Sequence, residues 1–189
     1  MTPKKPKSAE SNNFAFIDSQ NLNLGTQRMG WKMDWRKFRK FLADKYDVTQ
    51  AYMFIGYMSE NESLYEYMHE LGFLVVLKPT LDITSKSSGD QDKKDDKDTK
   101  DKTVKGNVDA ELVLYAMKEL PNYDQAIIVS GDGDFFSLAE YLAEQGKLAN
   151  ILTPNWQYSS LLKPFESKIV RLDQKRRQLQ YHDRKKKSK

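Results

Sequence analysis

Short apolar runs alternate along this chain with segments whose apolar residues recur at helical spacing. Because the runs are rich in β-branched and aromatic residues, they predict strands that are buried on both faces of a sheet. Strands separated by helices are joined by right-handed crossovers. The alternation therefore predicts an α/β fold with three layers, in which a central, mainly parallel sheet of five to six strands lies between helices. The runs are FAFID (14–18), VTQAYMFIGYM (48–58), FLVVLKP (73–79), QAIIVS (125–130), KLANIL (147–152) and KIVRL (168–172).

The length of the chain predicts one folded domain with tails, because 189 residues can bury one sizeable core. We place this domain at residues 14–174. A disordered basic tail is expected at 1–13 and a second basic tail at 175–189. A charged, flexible insertion is expected at about 84–105, since residues 86–105 hold seven Lys, six Asp and a single strongly apolar residue.

The net charge of +4 is unevenly distributed along the chain. Residues 1–13 carry +2 and residues 175–189 carry +7, which leaves −5 for the domain between them. An acidic core beside a basic tail favours a polyanionic partner that the tail holds while the core carboxylates serve another purpose. The alternative is a tail that only keeps the protein in solution.

The composition also excludes several classes of chemistry. The chain has no cysteine, so disulfides, cysteine-based zinc sites and thiol nucleophiles are absent. Its apolar runs are all shorter than the roughly 20 residues of a membrane span, and the N-terminal lysines precede no apolar segment of the kind found in secretory signals. These features predict a cytoplasmic protein without a membrane partner.

Four aspartates lie where parallel strands end or where a helix returns to the same edge. Asp18 closes the first run, Asp132 and Asp134 follow the fourth, and Asp109 begins the helix that leads into the fourth strand. Ligands of open parallel sheets bind at the carboxyl ends of strands, near the point where the strand order reverses. If the first and fourth strands are neighbours, the four acids converge there.

Helix capping is the ordinary explanation for three of these acids. Asp109 and Asp134 would be favourable in the first turn of a helix, and Asp132 could be an N-cap. We expect no capping role for Asp18, since no helix with an apolar stripe starts directly behind it. Carboxylates that lie close together raise one another's pKa and destabilise a fold unless a cation offsets them. The group as a whole therefore predicts a bound cation.

Oxygen ligands without His or Cys favour Mg²⁺ or Mn²⁺. Such ions support phosphoryl transfer or phosphodiester hydrolysis, and the basic tail matches a nucleic-acid substrate. A calcium loop of the EF-hand type is the competing interpretation. The stretch SGDGDFFSLAEY lacks the third acidic position of that loop and follows a strand instead of a helix.

Three stretches of the chain carry motifs whose order and spacing are specific. They are FIDSQNL (16–22), KGNVDAELVLYAM (105–117) and YDQAIIVSGDGDFFSLAEYLAEQGK (123–147). With these motifs the chain resembles the NYN domain of the LabA-like group within the PIN-like nuclease superfamily. The resemblance covers roughly residues 14–172.

The resemblance implies a PIN-like, Rossmann-like α/β/α fold and a metal-dependent ribonuclease of endonucleolytic type. It also implies that Asn21 lies beside the metal as a positioning group and that Ser130 forms a hydrogen bond near it. Two positions depart from the family pattern: Ser19 replaces a common glycine, and Tyr115 replaces a further aspartate of many relatives. By position, the metal-binding acids would be Asp18, Asp109, Asp132 and Asp134.

RNA is the expected partner, with DNA as the alternative, and a homodimer is compatible with the sequence. Trp156 and Tyr158 could stack an unpaired base, although capping of the core is the more ordinary role for them. Arg36, Lys37 and Lys40 on the first predicted helix could contact phosphates. The alternative is that they lie on the outer face of this helix and contact only solvent. The candidate phosphate contacts are Lys105, Arg36, Lys37, Lys40, Arg176 and Arg177.

Two other functions compete with the nuclease. The first keeps the fold but not the catalysis, and makes the chain a nucleic-acid-binding or regulatory NYN module. The second is a Toprim-like or phosphatase-like magnesium enzyme. Toprim sites use a glutamate where Asp18 stands, and phosphatases with an aspartyl nucleophile need a second acid where Gln20 stands. Neither of these two patterns fits.

Overall fold

The computed structural model describes residues 11–57, 59–78 and 108–183. In these parts of the chain, six parallel strands form one sheet. The strands are β1 (Asn13–Asp18), β2 (Val48–Gly56), β3 (Leu74–Lys78), β4 (Ala126–Val129), β5 (Leu148–Thr153) and β6 (Ile169–Arg171). Their order is β3-β2-β1-β4-β5-β6. The predicted α/β architecture with a parallel central sheet is confirmed.

Helices cover both faces of the sheet. The described helices are α1 (Ser19–Arg28), α2 (Trp35–Tyr46), α3 (Glu62–Glu70), α4 (Asp109–Lys118), α5 (Phe136–Glu144) and α6 (Arg176–Leu179). On one face α1, α2, α3 and α6 pack against Ala15, Ile17 and their neighbours. On the other face α4 and α5 pack against Phe14, Phe16 and their neighbours. Among the described helices, none has the length and apolar character of a membrane span.

Helix α2 forms where its sequence predicts a helix. The carboxylate of Asp34 accepts a hydrogen bond from the backbone N–H of Lys37 at 3.1 Å, which satisfies one of the free donors of the first turn. The buried side chains Phe38, Phe41 and Leu42 recur at the spacing of one helical face. The amphipathic pattern and the cap together place α2 against β2.

Helix α1 is absent from the sequence-based prediction. It begins directly behind Asp18, whose carboxylate accepts a hydrogen bond from the N–H of Asn21 at 3.0 Å. The expectation that Asp18 has no capping role was therefore wrong. The buried face of α1 consists of Leu22, Gly25 and Thr26, so only one large apolar residue marks it. Two small residues allow close packing but leave no apolar stripe in the sequence.

The folded chain continues beyond residue 174, where we expected the domain to end. Leu179 is fully buried, and its carbonyl oxygen accepts a hydrogen bond from the N–H of Asp34 at 2.8 Å. Met33 and Gln180 form an isolated antiparallel bridge beside it. Residues 176–181 thus pack along the segment that joins α1 to α2. The predicted insertion at 84–105 and residues 1–10 lie outside the described parts of the chain.

The strand order reverses between β1 and β4. Strands β2 and β3 extend the sheet to one side of this pair, and β5 and β6 extend it to the other. Ile17 pairs with Val129, so Asp18 and Ser130 follow at the same edge of the sheet. The first and fourth strands are neighbours, which is the condition under which the acids were expected to converge, and the switch point favours a ligand-binding crevice at this edge.

Candidate active site

A cleft of about 330 Å³ opens at the carboxyl ends of β1 and β4. Three of the predicted acids line it: Asp18, Asp109 and Asp132. The remaining walls come from one face of α1 and from the loop that follows β5. Aspartates that are far apart in sequence therefore meet in one cavity, at the position that the topology favours for a ligand.

Asp18 is the most buried of these acids, with 5 % of its surface exposed. Its carboxylate accepts hydrogen bonds from the N–H of Asn21 and from the hydroxyl of Ser130, the second at 3.1 Å. Burial raises the pKa of Asp18, and the charges of Asp109 and Asp132 raise it further, while the two hydrogen bonds oppose this effect. The fold holds a carboxylate where ionisation is unfavourable.

Ser130 connects two of the acids. Its hydroxyl donates to Asp18 and accepts a hydrogen bond from the backbone N–H of Asp132 at 3.1 Å. The side chain of Asp132 in turn accepts from the N–H of Asp134 at 3.1 Å, which starts the 3-10 turn Gly133–Phe135. The capping role considered for Asp132 is therefore real, and it coexists with a place on the cleft wall.

Asn21 fixes helix α1 to the loop after β4. Its side-chain oxygen accepts a hydrogen bond from the N–H of Gly131 at 2.9 Å, and the residue lines the cleft beside the acids. Its implied place beside a metal ion stays a prediction. Because its acceptor oxygen is bound to the backbone, its contribution is to hold the two walls at a set distance.

Asp134 differs from the other three acids. Its side chain is exposed to solvent, and it does not belong to the cleft lining. It occupies the first turn of the short 3-10 helix, where a negative charge complements the helix dipole. The structure therefore brings three of the four predicted acids together and leaves the fourth outside the cleft.

Gly133 is required by a neighbour far along the chain. A Cβ atom at this position would lie 2.4 Å from the hydroxyl oxygen of Ser159 and 2.9 Å from a methyl carbon of Leu161. The segment after β5 thus packs directly on the acidic turn, and the N–H of Ser159 donates to the carbonyl of Gly131 at 2.9 Å. Close backbone approach, and not only tight turning, explains the glycine.

Tyr115, which stands where relatives have a further aspartate, belongs to the core. Its ring lies 5.7 Å from that of Tyr52 and 5.6 Å from that of Phe54, measured between centroids. An acid at this position would face aromatic rings in this chain. The aromatic residue is therefore accommodated by its surroundings.

The ligand atoms that the cleft offers are of the chemical type that a hard divalent cation binds. Carboxylate oxygens are the ligands that Mg²⁺ and Mn²⁺ prefer, and the repulsion that raises the pKa of Asp18 is of the sort that a cation offsets. Within the described residues, no three acidic or histidine side chains are close enough to form a ready-made metal site. Magnesium commonly binds through one or two carboxylates and completes its shell with water and substrate phosphate.

The predicted phosphate contacts on α2 lie outside the cleft. Lys37 pairs with Asp34 at 3.6 Å and donates to the carbonyl of Gln180 at 2.8 Å, while Lys40 pairs with Asp44. Arg36 is exposed. These contacts give Lys37 and Lys40 structural roles. Lys105 lies outside the described residues, and Arg176 and Arg177 are on helix α6.

Sequence reasoning missed Arg28 and Gln157, which line the cleft. Arg28 was missed because α1 was missed, although the spacing of Gln20, Leu24 and Arg28 marks one helical face. Tyr158 lines the cleft and packs on the core. Trp156 is 56 % exposed, so the core-capping role considered for it was wrong.

Comparison with known proteins identifies the family. The NYN domain model matches residues 14–166. The chain belongs to the NYN domain family. This confirms the resemblance found in the motifs, and it places the chain among domains that are related to PIN-like nucleases.

Two individual proteins are similar to this chain. The low amplitude and bright protein LabA of Synechococcus elongatus is 25 % identical over 131 residues, which are 67 % of this chain and 65 % of LabA. This NYN chain thus spans just under two thirds of LabA. A crystal structure of a protein of unknown function from Vibrio parahaemolyticus superimposes with a TM-score of 0.66 at 21 % identity. That match covers 93 % of this chain and 99 % of the other, and it shows a shared fold.

Proposed function

We propose that this NYN domain is a metal-dependent ribonuclease that hydrolyses phosphodiester bonds of RNA with Mg²⁺ or Mn²⁺. The observation that carries the proposal is the convergence of Asp18, Asp109 and Asp132 in one cleft at the switch point of the sheet. Burial and mutual repulsion make this arrangement costly for the fold, and costly carboxylate groups are concentrated at functional sites. Family membership supports the same reaction class.

Each acid has a proposed role. Asp18, Asp109 and Asp132 would hold the ion, which supplies an activated water and neutralises charge on the leaving oxygen. Asp134 remains in the proposed set because of its place in the motif, although its side chain is exposed and lies outside the cleft lining. The expected products are a 5′-phosphate and a 3′-hydroxyl.

The neighbouring polar groups keep the acids in position. The hydroxyl of Ser130 donates to Asp18 and restricts the rotation of its carboxylate. Asn21 holds the loop that carries Asp132 by accepting from the N–H of Gly131. Both residues would act as positioning groups, since their polar atoms are bound to the acids or to the loop that carries them.

Cleavage of a labelled RNA tests the proposal. The purified chain is incubated with a single-stranded RNA labelled at its 5′ end, in Mn²⁺, in Mg²⁺ and in EDTA. We expect cleavage with either metal and none in EDTA, and loss of cleavage in Asp109→Asn. The matched control is Asp124→Asn, which removes an exposed acid at the opposite edge of the sheet and is expected to leave cleavage unchanged. A DNA strand of the same sequence distinguishes the two nucleic acids.

A nucleic-acid-binding or regulatory module without catalysis is the second candidate. The observation in its favour is that the described residues hold no ready-made cluster of three metal ligands. Saturable RNA binding without cleavage in Mn²⁺ or Mg²⁺ would support this module and contradict the nuclease. Metal-dependent cleavage that survives Asp109→Asn would contradict the assigned site.

A further inference from the structure

One face of α1 forms a wall of the cleft from end to end. Gln20, Leu24 and Arg28 follow one another at intervals of four residues and all line the cavity. With a rise of 1.5 Å per residue, Arg28 lies about 12 Å from Gln20 along the helix axis. Since Asp18 caps the start of α1, the cleft runs from the acids at one end of the helix to a guanidinium group at the other.

Arg28 forms no ion pair within the described residues. Its side chain is exposed to solvent. The same cleft contains Gln157 and Tyr158 on the wall that faces α1. Tyr158 packs at the acid end of the cleft, where its Cβ lies 3.2 Å from the position of a Cβ built on Gly131. Along its length the cleft thus offers a phenol, an amide and a guanidinium, which suit the oxygen acceptors and hydroxyls of phosphates and sugars.

The two walls at this end of the cleft are held together by buried contacts. Asn155 is 5 % exposed, and its side chain donates to the carbonyl of Gly25 at 2.9 Å. It also accepts from the N–H of Gln157 at 2.7 Å. A Cβ on Gly25 would lie 2.4 Å from the Cβ of Pro154, so the helix and the loop touch directly. The groups that face the cleft are therefore preorganised.

The C-terminal segment adds cations next to Arg28. Arg176 donates to the carbonyl of Gly30 at 3.2 Å, in the turn that follows α1, and to the side-chain oxygen of Gln180 at 2.9 Å. Neither acceptor carries a charge, and no carboxylate among the described residues pairs with Arg176. Tyr181 donates its N–H to the carbonyl of Lys32 at 2.9 Å, which holds the segment in place. Arg177 and Lys32 are both exposed.

We propose that the backbone of a single-stranded RNA passes from the acid end of the cleft over Arg28 and onto these cations. We call Arg28, Lys32, Arg176 and Arg177 the basic track. The track gives the cleft a direction, because phosphates are repelled by the acids unless an ion is bound and are attracted at the other end of α1. This inference rests on the proposed function for the identity of the ligand, and it names the path that the RNA takes.

Binding of a labelled RNA without metal tests the track separately from catalysis. Fluorescence anisotropy of a short, unstructured oligoribonucleotide is measured in EDTA at several salt concentrations. Arg28→Ala is compared with Arg36→Ala, which removes the same charge from an exposed position outside the cleft. We expect Arg28→Ala to weaken binding about tenfold, as expected for a lost charged hydrogen bond. Its salt slope should fall by about 0.7, and Arg36→Ala should change affinity less than about twofold.

Two further variants complete the design. Arg28→Lys keeps the charge and is expected to restore most of the affinity. Arg177→Ala is expected to weaken binding about threefold, a smaller loss because its site lies on the protein surface beyond the cleft. Thermal unfolding checks that each variant keeps the stability of the parent chain. We expect no loss of stability, because the replaced side chains are exposed.

The outcomes separate this inference from the proposed function. Equal losses for Arg28→Ala and Arg36→Ala would mean general charge attraction and would overturn the track, as would no saturable binding by the parent chain. Selective loss in Arg28→Ala without any metal-dependent cleavage would support the track and contradict the nuclease. Metal-dependent cleavage together with equal losses of RNA binding in the two variants would support the nuclease and overturn the track.

Discussion

The sheet uses polar residues in opposite ways at the amino edge, where its parallel strands begin, and at the carboxyl edge, where they end. At the amino edge, several polar side chains are paired with neutral backbone groups. Asn13 donates to the carbonyl of Tyr46 at 2.7 Å and accepts from the N–H of Gln125 at 3.1 Å. The ammonium group of Lys147 donates to the carbonyls of Leu120 and Tyr123. These contacts join loops that would otherwise leave buried carbonyl and N–H groups unpaired.

At the carboxyl edge, like charges face one another. Asp18, Asp109 and Asp132 line one cleft, and the pKa of Asp18 is raised by burial and by the other two acids. The amino edge therefore contributes stability, whereas the carboxyl edge costs stability in the absence of a cation. The comparison teaches that a function should be sought where carboxylates are buried in one cleft and repel one another.

The largest expected effect comes from replacing the buried acid at the carboxyl edge. Asp18→Asn should lower RNA cleavage by on the order of 10²-fold or more, the contribution of a single catalytic group. Without metal it should also stabilise the fold, because it removes a buried charge while asparagine can still cap α1. Cleavage rates and urea unfolding in EDTA measure the two effects.

Asp124→Asn is the matched change at the amino edge. The carboxylate of Asp124 is exposed and accepts a hydrogen bond from the N–H of Asn12 at 2.8 Å. We expect unchanged cleavage and a loss of stability of about 1 kcal/mol or less. If both variants lost cleavage to the same extent, or if Asp18→Asn destabilised the metal-free fold, the contrast between the edges would be wrong.

The parts of this contrast that the sequence predicts are local. An apolar strand followed directly by SGDGDF places acids at a strand end, and the alternation of strands and helices places such ends at one edge. Helix α1 could not be predicted in this way, because its buried face contains Leu22 and two small residues. Missing α1 also concealed Arg28 and the capping role of Asp18.

Other features depend on contacts between distant residues. Gly133 is fitted against Ser159, and Leu179 is buried beside the segment that joins α1 to α2. A single leucine within a basic segment gives no periodic apolar pattern, so the sequence of residues 175–189 predicts a tail. Long-range packing of this kind decides where the cations of the basic track lie.

Addition of metal should reverse the cost at the carboxyl edge. A ligand at 100 times its dissociation constant stabilises the folded state by about 2.7 kcal/mol. We expect Mn²⁺ to raise the free energy of unfolding of the parent chain and of Asp124→Asn to a similar extent, and to have much less effect on Asp18→Asn. Urea unfolding with Mn²⁺ and with EDTA measures this. Equal stabilisation of all three proteins would place the ion elsewhere.

Removal of a hydrogen-bonding side chain at the amino edge should change stability alone. Asn13→Ala leaves the carbonyl of Tyr46 and the N–H of Gln125 without their partners, at a cost of about 2 kcal/mol. Below its unfolding transition, the variant should cleave RNA at the parental rate, because Asn13 lies at the opposite end of β1 from Asp18. Thermal unfolding and a cleavage assay at 20 °C below the transition measure both quantities. A lower rate in the folded variant would show that the two edges are coupled.

The smallest expected effect is the pH dependence of stability that Asp18 contributes. Burial, with the charges of Asp109 and Asp132, raises the pKa of Asp18 in the folded state above its value in the unfolded chain. The folded state therefore binds this proton more tightly. The resulting stability is fully present below the unfolded pKa and is lost as the pH rises through the folded pKa.

Asp18→Asn is the reference for this measurement, because its side chain at position 18 does not titrate. In EDTA, the free energy of unfolding of the parent chain, minus that of the variant, should fall with rising pH across this window and then stay constant. A difference that rises with pH would mean that the hydrogen bonds from Asn21 and Ser130 outweigh burial and repulsion, and that the carboxyl edge is satisfied like the amino edge.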